Sequence, residues 1–126
     1  MARKFIFTIG IFWTILIVIA CLVEGSSVPK ISVFNIPNKD KIAHFTFYFV
    51  FSIIWFLYIV KSRLKISRIK LTFAIFTIVC LLGGSIEILQ YYTTTSRSAE
   101  WADFFANCLG SIIGLLLCMT LTKNKK

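Results

Sequence analysis

The sequence has few charged residues, and acidic ones are the scarcest of these. Only 15% of its residues are charged, and five of the 126 are Asp or Glu, whereas about a quarter of the residues in a typical soluble domain carry charge. Proline is also scarce, with two in the chain, and 58% of the residues are hydrophobic. A soluble globular surface cannot be built from this composition, so the sequence predicts a membrane protein.

Cysteine patterns that would indicate a disulfide framework or a zinc site are missing. No two cysteines are spaced as C-x-x-C, and we interpret all four as small apolar residues of membrane helices: Cys21, Cys80, Cys108 and Cys118. The stretch "VIAC" at 18–21 loosely resembles a lipoprotein cleavage box. The apolar run before it is longer than the core of a signal peptide, which favours an uncleaved anchor over lipidation of Cys21.

Four apolar runs each reach the length of about 18 residues that a helix needs to cross a bilayer. They cover residues 5–23, 42–60, 71–90 and 101–121. The segments between them are too short to form a second domain. The sequence therefore predicts an all-α bundle of four transmembrane helices, which occupies residues 1–126 as a single domain.

Basic residues cluster at alternate ends of the predicted helices. Most of the 14 Lys and Arg residues lie in segments 3–4, 61–70 and 123–126, which contain no acidic residue. By the positive-inside rule these segments are cytoplasmic, so both termini lie inside and segments 24–41 and 91–100 lie outside. Topology and contact with anionic membrane lipid then explain the positive charge. We predict membrane lipid as a partner, no nucleic acid, and the cytoplasmic membrane as the location; the oligomeric state stays open.

Polar residues recur on one face of each of the last three predicted helices. With 3.6 residues per turn, each set falls within an arc of about 100°: Asp40, Lys41, His44 and Tyr48; Gly83, Glu87 and Gln90; and Asp103, Asn107, Gly110 and Gly114. In the predicted topology, the charged members lie near the outer membrane face, with Arg97 and Glu100 in the loop above. Because a charge in hydrocarbon costs about 2.5 to 3.5 kcal/mol, we predict one shared polar pocket at the outer face.

The residue types in this pocket suit acid/base chemistry or ligand binding. His44, Glu87 and Asp103 could transfer protons or orient a ligand. The other members are predicted ligand contacts, of which the two cations could hold an anionic group: Asp40, Lys41, Tyr48, Gln90, Arg97 and Asn107. One His with two carboxylates would also suit a divalent metal. No His-x-x-x-His or Glu-x-x-His spacing supports that, so we predict neither a metal nor a cofactor.

Several of these residues also have a purely structural interpretation. Asp40 is well placed to cap the second helix, Lys41 could snorkel to the interface, and Asp103 could be an acid favoured by the helix dipole. For Gly110 and Gly114, which form a Gly-x-x-x-Gly pair, we predict close helix packing. The concentration of polar residues on one side and at one depth nevertheless favours a site.

Three sequence blocks, in order, resemble those of the VanZ-like family of small integral membrane proteins. They are "DKIAHFTFYFV" at 40–50, "EILQYY" at 87–92 and "SRSAEWADFFANCLGSIIG" at 96–114. The resemblance covers roughly residues 38–117. It implies a bacterial cell-envelope protein, because the family's namesake is associated with resistance to the glycopeptide antibiotic teicoplanin, which acts on outward-facing peptidoglycan precursors. It implies no particular reaction, so whether the protein is an enzyme stays open.

Together these observations favour a protein that binds, and could modify, a lipid-linked or peptidoglycan-related ligand at the outer face. A small membrane transporter is one alternative. Four-span exporters depend on a carboxylate deep in the first helix, whereas Glu24 lies at the outer end of this one. A structural or assembly module is the other alternative, and it would depend on the glycine pair rather than on the polar residues.

Overall fold

The computed structural model describes residues 1–23, 38–95 and 99–122, and four long α-helices account for nearly all of them. Helix α1 spans Ala2–Leu22, α2 Lys39–Val60, α3 Arg68–Thr93 and α4 Trp101–Thr122. No β-strand occurs within these ranges. All four helices are long and apolar enough to cross a membrane, which confirms the predicted fold class. Glu24, Arg97 and the basic segment 123–126 lie outside the described residues.

Two helices begin at a residue that suits a helix start. Ser67 precedes α3, and its hydroxyl accepts a hydrogen bond from the backbone N–H of Lys70 at 3.3 Å, which satisfies a donor that has no partner inside the helix. Asn38 precedes α2 in the left-handed conformation, with φ of 59°, which Asn adopts more readily than most residues. The interpretation of Asp40 as the cap is therefore wrong. Asp40 lies inside the first turn of α2, where the helix dipole favours its charge.

The helices run alternately up and down, and contacts at their ends fix this order. Arg68, at the start of α3, donates a hydrogen bond to the carbonyl of Thr122 at the end of α4. Gln90, near the end of α3, donates to the carbonyl of Cys21 at the end of α1. We call the end where α1 and α3 begin the basic end. The opposite end, where α2 and α4 begin, is the polar end.

Helices α2 and α4 form the most extensive contact of the bundle. Gly110 lies directly against the backbone carbonyl of Phe45, and a Cβ atom at Gly114 would stand only 2.8 Å from the carbonyl oxygen of Phe49. Because glycine has no side chain, the two backbones approach more closely than any other residue would allow. Farther along the interface the buried hydroxyl of Ser52 donates to that of Ser111 at 2.7 Å. These contacts fix α2 and α4 against each other near the middle of the bundle.

Helix α1 packs against α2 and α3. The indole N–H of Trp13 donates to the carbonyl of Phe47 at 2.9 Å, and Gly10 lies against the ring of Trp55. The opposite face of α1 is apolar and exposed, as are the outer faces of the other helices; Phe12, Phe73, Leu81 and Leu116 are all more than half exposed. Apolar surface of this extent is unfavourable in water and compatible with lipid. The protein is a multi-pass membrane protein.

Candidate functional site: a buried polar cluster

Four polar side chains from three helices meet at the polar end. They are His44 of α2, Glu87 of α3, and Asp103 and Asn107 of α4, and each residue is at most 7% exposed. We call these four residues the polar cluster. Their helical faces are the ones on which the sequence places its polar residues, so burial and sequence periodicity agree here.

His44 lies at the centre of the cluster and contacts its other members through both ring nitrogens. Its Nδ1 is 2.9 Å from the side-chain oxygen of Asn107. Because an amide oxygen only accepts hydrogen bonds, Nδ1 carries the proton and donates it. In the neutral ring, Nε2 then has a lone pair, and this atom faces Asp103 Oδ2 at 3.8 Å. Glu87 Oε1 is 4.0 Å from Nδ1 on the other side.

Gly83 determines how closely α3 approaches this arrangement. A Cβ atom at position 83 would stand 2.8 Å from Asn107 Nδ2, closer than any real side chain tolerates. The missing side chain therefore leaves room for the Asn107 amide between α3 and α4. Gly83 thus positions the amide that orients the His44 ring. The sequence shows Gly83 on the polar face of α3, but its partner becomes apparent only from the packing.

The two carboxylates are only partly satisfied. Glu87 Oε2 accepts a hydrogen bond from the backbone N–H of Glu100 at 3.2 Å. Within the described part of the chain, neither Glu87 Oε1 nor Asp103 Oδ1 accepts a hydrogen bond, although both atoms are buried. A buried carboxylate oxygen without a donor costs substantial free energy. The cluster therefore contains unused capacity to bind a proton, a cation or a hydrogen-bond donor.

Lys41 connects the cluster to the surface. Its Nζ lies 3.1 Å from Glu100 Oε2 and 3.8 Å from Asp103 Oδ1, and its side chain is 37% exposed. The ammonium is thus shared between two carboxylates. Glu100 was not among the predicted site residues, although it contacts both Lys41 and Glu87. Its position in the sequence could have identified it, because it directly precedes α4 and lies three residues before Asp103, the acid in the first turn of that helix.

The remaining predicted site residues lie around the cluster in different ways. Tyr48 is fully buried one turn below His44 on α2, and no residue of the described ranges hydrogen-bonds to its hydroxyl. Gln90 is buried and directs its amide to α1. Asp40 is exposed at the start of α2. Arg97 lies outside the described residues, so its proposed role stays a prediction.

A cavity of about 440 Å³ lies between α3 and α4, directly beside the cluster. Glu87 and Glu100 line its polar side, and Gly84, Ile88 and Phe104 are among the residues that form the rest of its wall. Ile88 is 60% exposed, so the cavity borders the surface of the bundle that faces lipid. A molecule with an apolar chain and a polar head could place its head at Glu87 while its chain stays in the membrane.

The cluster can serve two kinds of chemistry. His44 and the carboxylates can accept and release protons. They can also provide ligands for a cation, because one ligand atom from each of His44, Glu87 and Asp103 can be chosen so that all three lie within 4.8 Å of one another.

The comparisons with known proteins gave one match. The family model described as VanZ/LLP1 matches residues 5–122, nearly the whole chain. No curated protein and no solved structure matches this chain.

Proposed function

The chain belongs to the VanZ/LLP1 family, and from this membership and the polar cluster we propose that it binds a lipid-linked or peptidoglycan-related molecule at the outer face of the bacterial cytoplasmic membrane. If the protein also modifies this ligand, the cluster would do so by acid/base chemistry, as in hydrolysis or group transfer. The positive-inside rule supports the orientation, because it assigns the basic end to the cytoplasm and the polar end to the outside.

The observation that carries the proposal is the position of the cluster beside the cavity between α3 and α4. Glu87 belongs to both, with one carboxylate oxygen near His44 and the side chain in the cavity wall. A ligand confined to the aqueous phase would not need a cavity that borders the lipid-facing surface. A lipid-linked ligand would need one, because its chain must remain in the bilayer while its head reaches polar groups.

The geometry supports a distinct role for each member of the cluster. Asn107 holds the proton on His44 Nδ1, which leaves Nε2 available to accept a proton from a ligand or a water molecule. Glu87 would orient the ligand head, and Asp103 would stabilise positive charge that develops on the His44 ring. Lys41 and Arg97 are the proposed contacts to anionic groups of the ligand, with Tyr48 and Gln90 at the periphery.

Native mass spectrometry of the purified protein tests whether the cluster holds a ligand. Wild type and Glu87→Gln would be isolated from the native membrane and analysed for a co-purified adduct of defined mass. We expect an adduct on the wild type that Glu87→Gln lacks. Thr46→Ala is the matched control, since it removes an exposed hydroxyl of α2 that bonds only within its own helix, and it should keep the adduct. If no adduct accompanies any variant, the binding proposal fails for tightly held ligands.

A cellular assay tests the envelope role. Cells that express wild type or His44→Ala at equal membrane levels would be compared for growth on teicoplanin. If the family's association with this antibiotic extends to this protein, wild type should raise the tolerated concentration and His44→Ala should not. Equal tolerance for both variants would favour a structural or assembly module, in which the polar cluster has no chemical role.

A further inference from the structure

We propose that the polar cluster binds a single divalent metal ion, with His44, Glu87 and Asp103 as its protein ligands. The inference deepens the proposed function, because it concerns the same site, and its link to a ligand rests on that proposal. With the ion bound, His44 Nε2 and Glu87 would be metal ligands rather than a proton acceptor and a direct contact to the ligand head. The sequence disfavoured a metal because it shows no local ligand spacing. The three residues come from three different helices, so no local spacing could have shown them as a set.

The first argument comes from two acceptor atoms that face each other. His44 Nδ1 donates to Asn107, so Nε2 of the neutral ring presents a lone pair. Asp103 Oδ2, 3.8 Å away, also presents lone pairs. Two acceptors at this separation repel each other unless a positive species lies between them. A metal ion between Nε2 and the carboxylate would turn this repulsion into coordination.

The second argument is the charge balance of the cluster. Glu87 and Asp103 are buried acids, and Glu100 lies beside them. Apart from the His44 ring, which is charged only when protonated, Lys41 is the cation that the described residues place within ion-pair distance of these acids, and it is already shared between two of them. Glu87 Oε1 has no donor from the described ranges. A divalent cation would compensate the excess of negative charge at the point where Lys41 does not reach.

The third argument is the geometry of the donor set. Bonds of a transition metal to imidazole nitrogen or carboxylate oxygen are about 2.0 to 2.2 Å, so ligand atoms of one ion are separated by about 3 to 4 Å. The 3.8 Å between Nε2 and Asp103 Oδ2 fits this range. Glu87 Oε1 lies 4.0 Å from the other ring nitrogen, Nδ1, so the Glu87 side chain must turn toward Nε2. The three ligand atoms, which lie within 4.8 Å of one another, must also move closer together to hold one ion. One imidazole with two carboxylates suits Mn²⁺, Fe²⁺ or Zn²⁺ and leaves positions open for a ligand.

Asn107 completes this arrangement without contacting the ion. Histidines that bind metals usually donate their other ring N–H to a fixed acceptor, which orients the ring. The hydrogen bond from His44 Nδ1 to Asn107 has this form, and Gly83 leaves the space for the Asn107 amide. A surface histidine that only packs at an interface needs no buried acceptor of this kind.

A bound cation would also explain how an acid-lined cavity accepts an anionic head group. Glu87 and Glu100 both line the cavity, and on their own they would repel a phosphate or a carboxylate. A divalent ion held by Glu87 would attract such a group at its open positions. The metal would then supply most of the positive charge for ligand binding, and Lys41, which is shared between Glu100 and Asp103, would add a weaker contact.

Metal binding to the purified protein tests the proposal directly. The full chain, prepared without a polyhistidine tag and reconstituted in lipid nanodiscs, would be titrated with Mn²⁺ and followed by electron paramagnetic resonance. Zn²⁺ content would be measured by elemental mass spectrometry on protein purified without chelators. We expect one ion per chain, with nitrogen coupling to Mn²⁺ from the His44 ring. His44→Gln, Glu87→Gln and Asp103→Asn should each weaken binding at least about tenfold. The control Thr46→Ala, which removes an exposed hydroxyl that bonds only within α2, should bind like wild type.

Several outcomes would overturn the metal site. One is wild type that binds neither ion at millimolar concentration. Another is equal metal affinity of Glu87→Gln and Thr46→Ala. If the substitutions prevent folding, the spectrum of the wild type still tests the site. The absence of nitrogen coupling to bound Mn²⁺ would refute ligation by His44. A lipid adduct on metal-free protein would leave the proposed function intact and refute the metal. A bound metal without a lipid adduct would support the metal site and count against tight binding of a lipid-linked ligand.

Discussion

The two ends of the bundle both carry charged side chains and a cavity of about 440 Å³, but they differ in the sign and burial of their charges. At the basic end the cavity is lined by the chain terminus and by cations: Arg3, Lys4, Lys61 and Arg63. All four are exposed. At the polar end, carboxylates and a histidine are buried between helices, with one half-exposed lysine above them.

This difference separates charges that orient the protein from charges that form a site. An exposed cation stays hydrated and needs no partner, so only its position relative to the membrane matters. A buried carboxylate loses hydration and requires a donor or a cation. The basic end can therefore be understood from the sequence alone, whereas the polar end depends on which atoms face each other.

The largest expected effect is a change in membrane orientation, and it should follow from removing cations at the basic end. Each Lys or Arg near an anionic cytoplasmic surface contributes about 1 kcal/mol. We therefore expect that replacing Arg3, Lys4, Lys61, Arg63 and Lys65 with Gln together produces a measurable inverted population. Reporter fusions at the C-terminus would measure it. Lys39→Gln, at the polar end, should leave orientation unchanged, and a fully uniform orientation of the multiple variant would contradict the assignment of this end to the cytoplasm.

A substitution in the α2–α4 interface should have the next largest effect, measured as a loss of stability. Contact between these two helices brings His44 next to Asp103 and Asn107. A Cβ atom at Gly110 would collide with the backbone carbonyl of Phe45, so Gly110→Ala should reduce the free energy of unfolding by about 2 to 3 kcal/mol. Gly84→Ala is the matched control, since its Cβ would meet Phe104 at an ordinary 3.7 Å. The free energies of unfolding of the two variants would be compared in mixed detergent micelles. Equal stability would show that a side chain at position 110 does not weaken the contact between α2 and α4.

The smallest effect should come from the exposed ion pair above the cluster. The side chains of Lys41 and Glu100 are 37% and 49% exposed, so both charges stay hydrated and the pair contributes little to stability. Glu100→Gln should therefore change the unfolding free energy by much less than Gly110→Ala does, and added salt should reduce the difference further. A larger, salt-independent loss would mean that Glu100 belongs to the buried cluster, and the distinction between exposed and buried charges at this end would need to be redrawn.

The helices could be predicted from the sequence because apolar runs of sufficient length have few alternatives in a membrane. The predicted runs and the observed helices differ mainly at their ends, as at α2, which begins at Lys39 rather than near residue 42. Asp40 was misassigned as a cap because Asn38, two residues earlier, adopts the left-handed conformation that starts the helix. Such local backbone choices are weakly encoded in residue type.

Periodicity in the sequence identified the polar helix faces that the structure buries, but it did not show the contacts between helices. Periodicity alone groups Glu87 with Gln90 on α3. The structure buries both but directs Gln90 to the carbonyl of Cys21 on α1. Glu100 precedes its helix, so it has no helical face to identify it, and its backbone N–H nonetheless contacts Glu87. Both differences arise because periodicity measures rotation about one axis and contains no information about the neighbouring helix.

The sequence by itself determined four membrane helices, a polar face on three of them and the concentration of basic residues at one end. These features follow from residue type and helical period. Only the tertiary structure decided that His44 Nε2 faces Asp103 Oδ2 while Nδ1 is held by Asn107. That relation depends on how far and at what rotation the helices approach, which is fixed by close packing at Gly110 and Gly83. Distances between groups on different helices are set by packing, and it is these distances that give the buried acids and the histidine a common site.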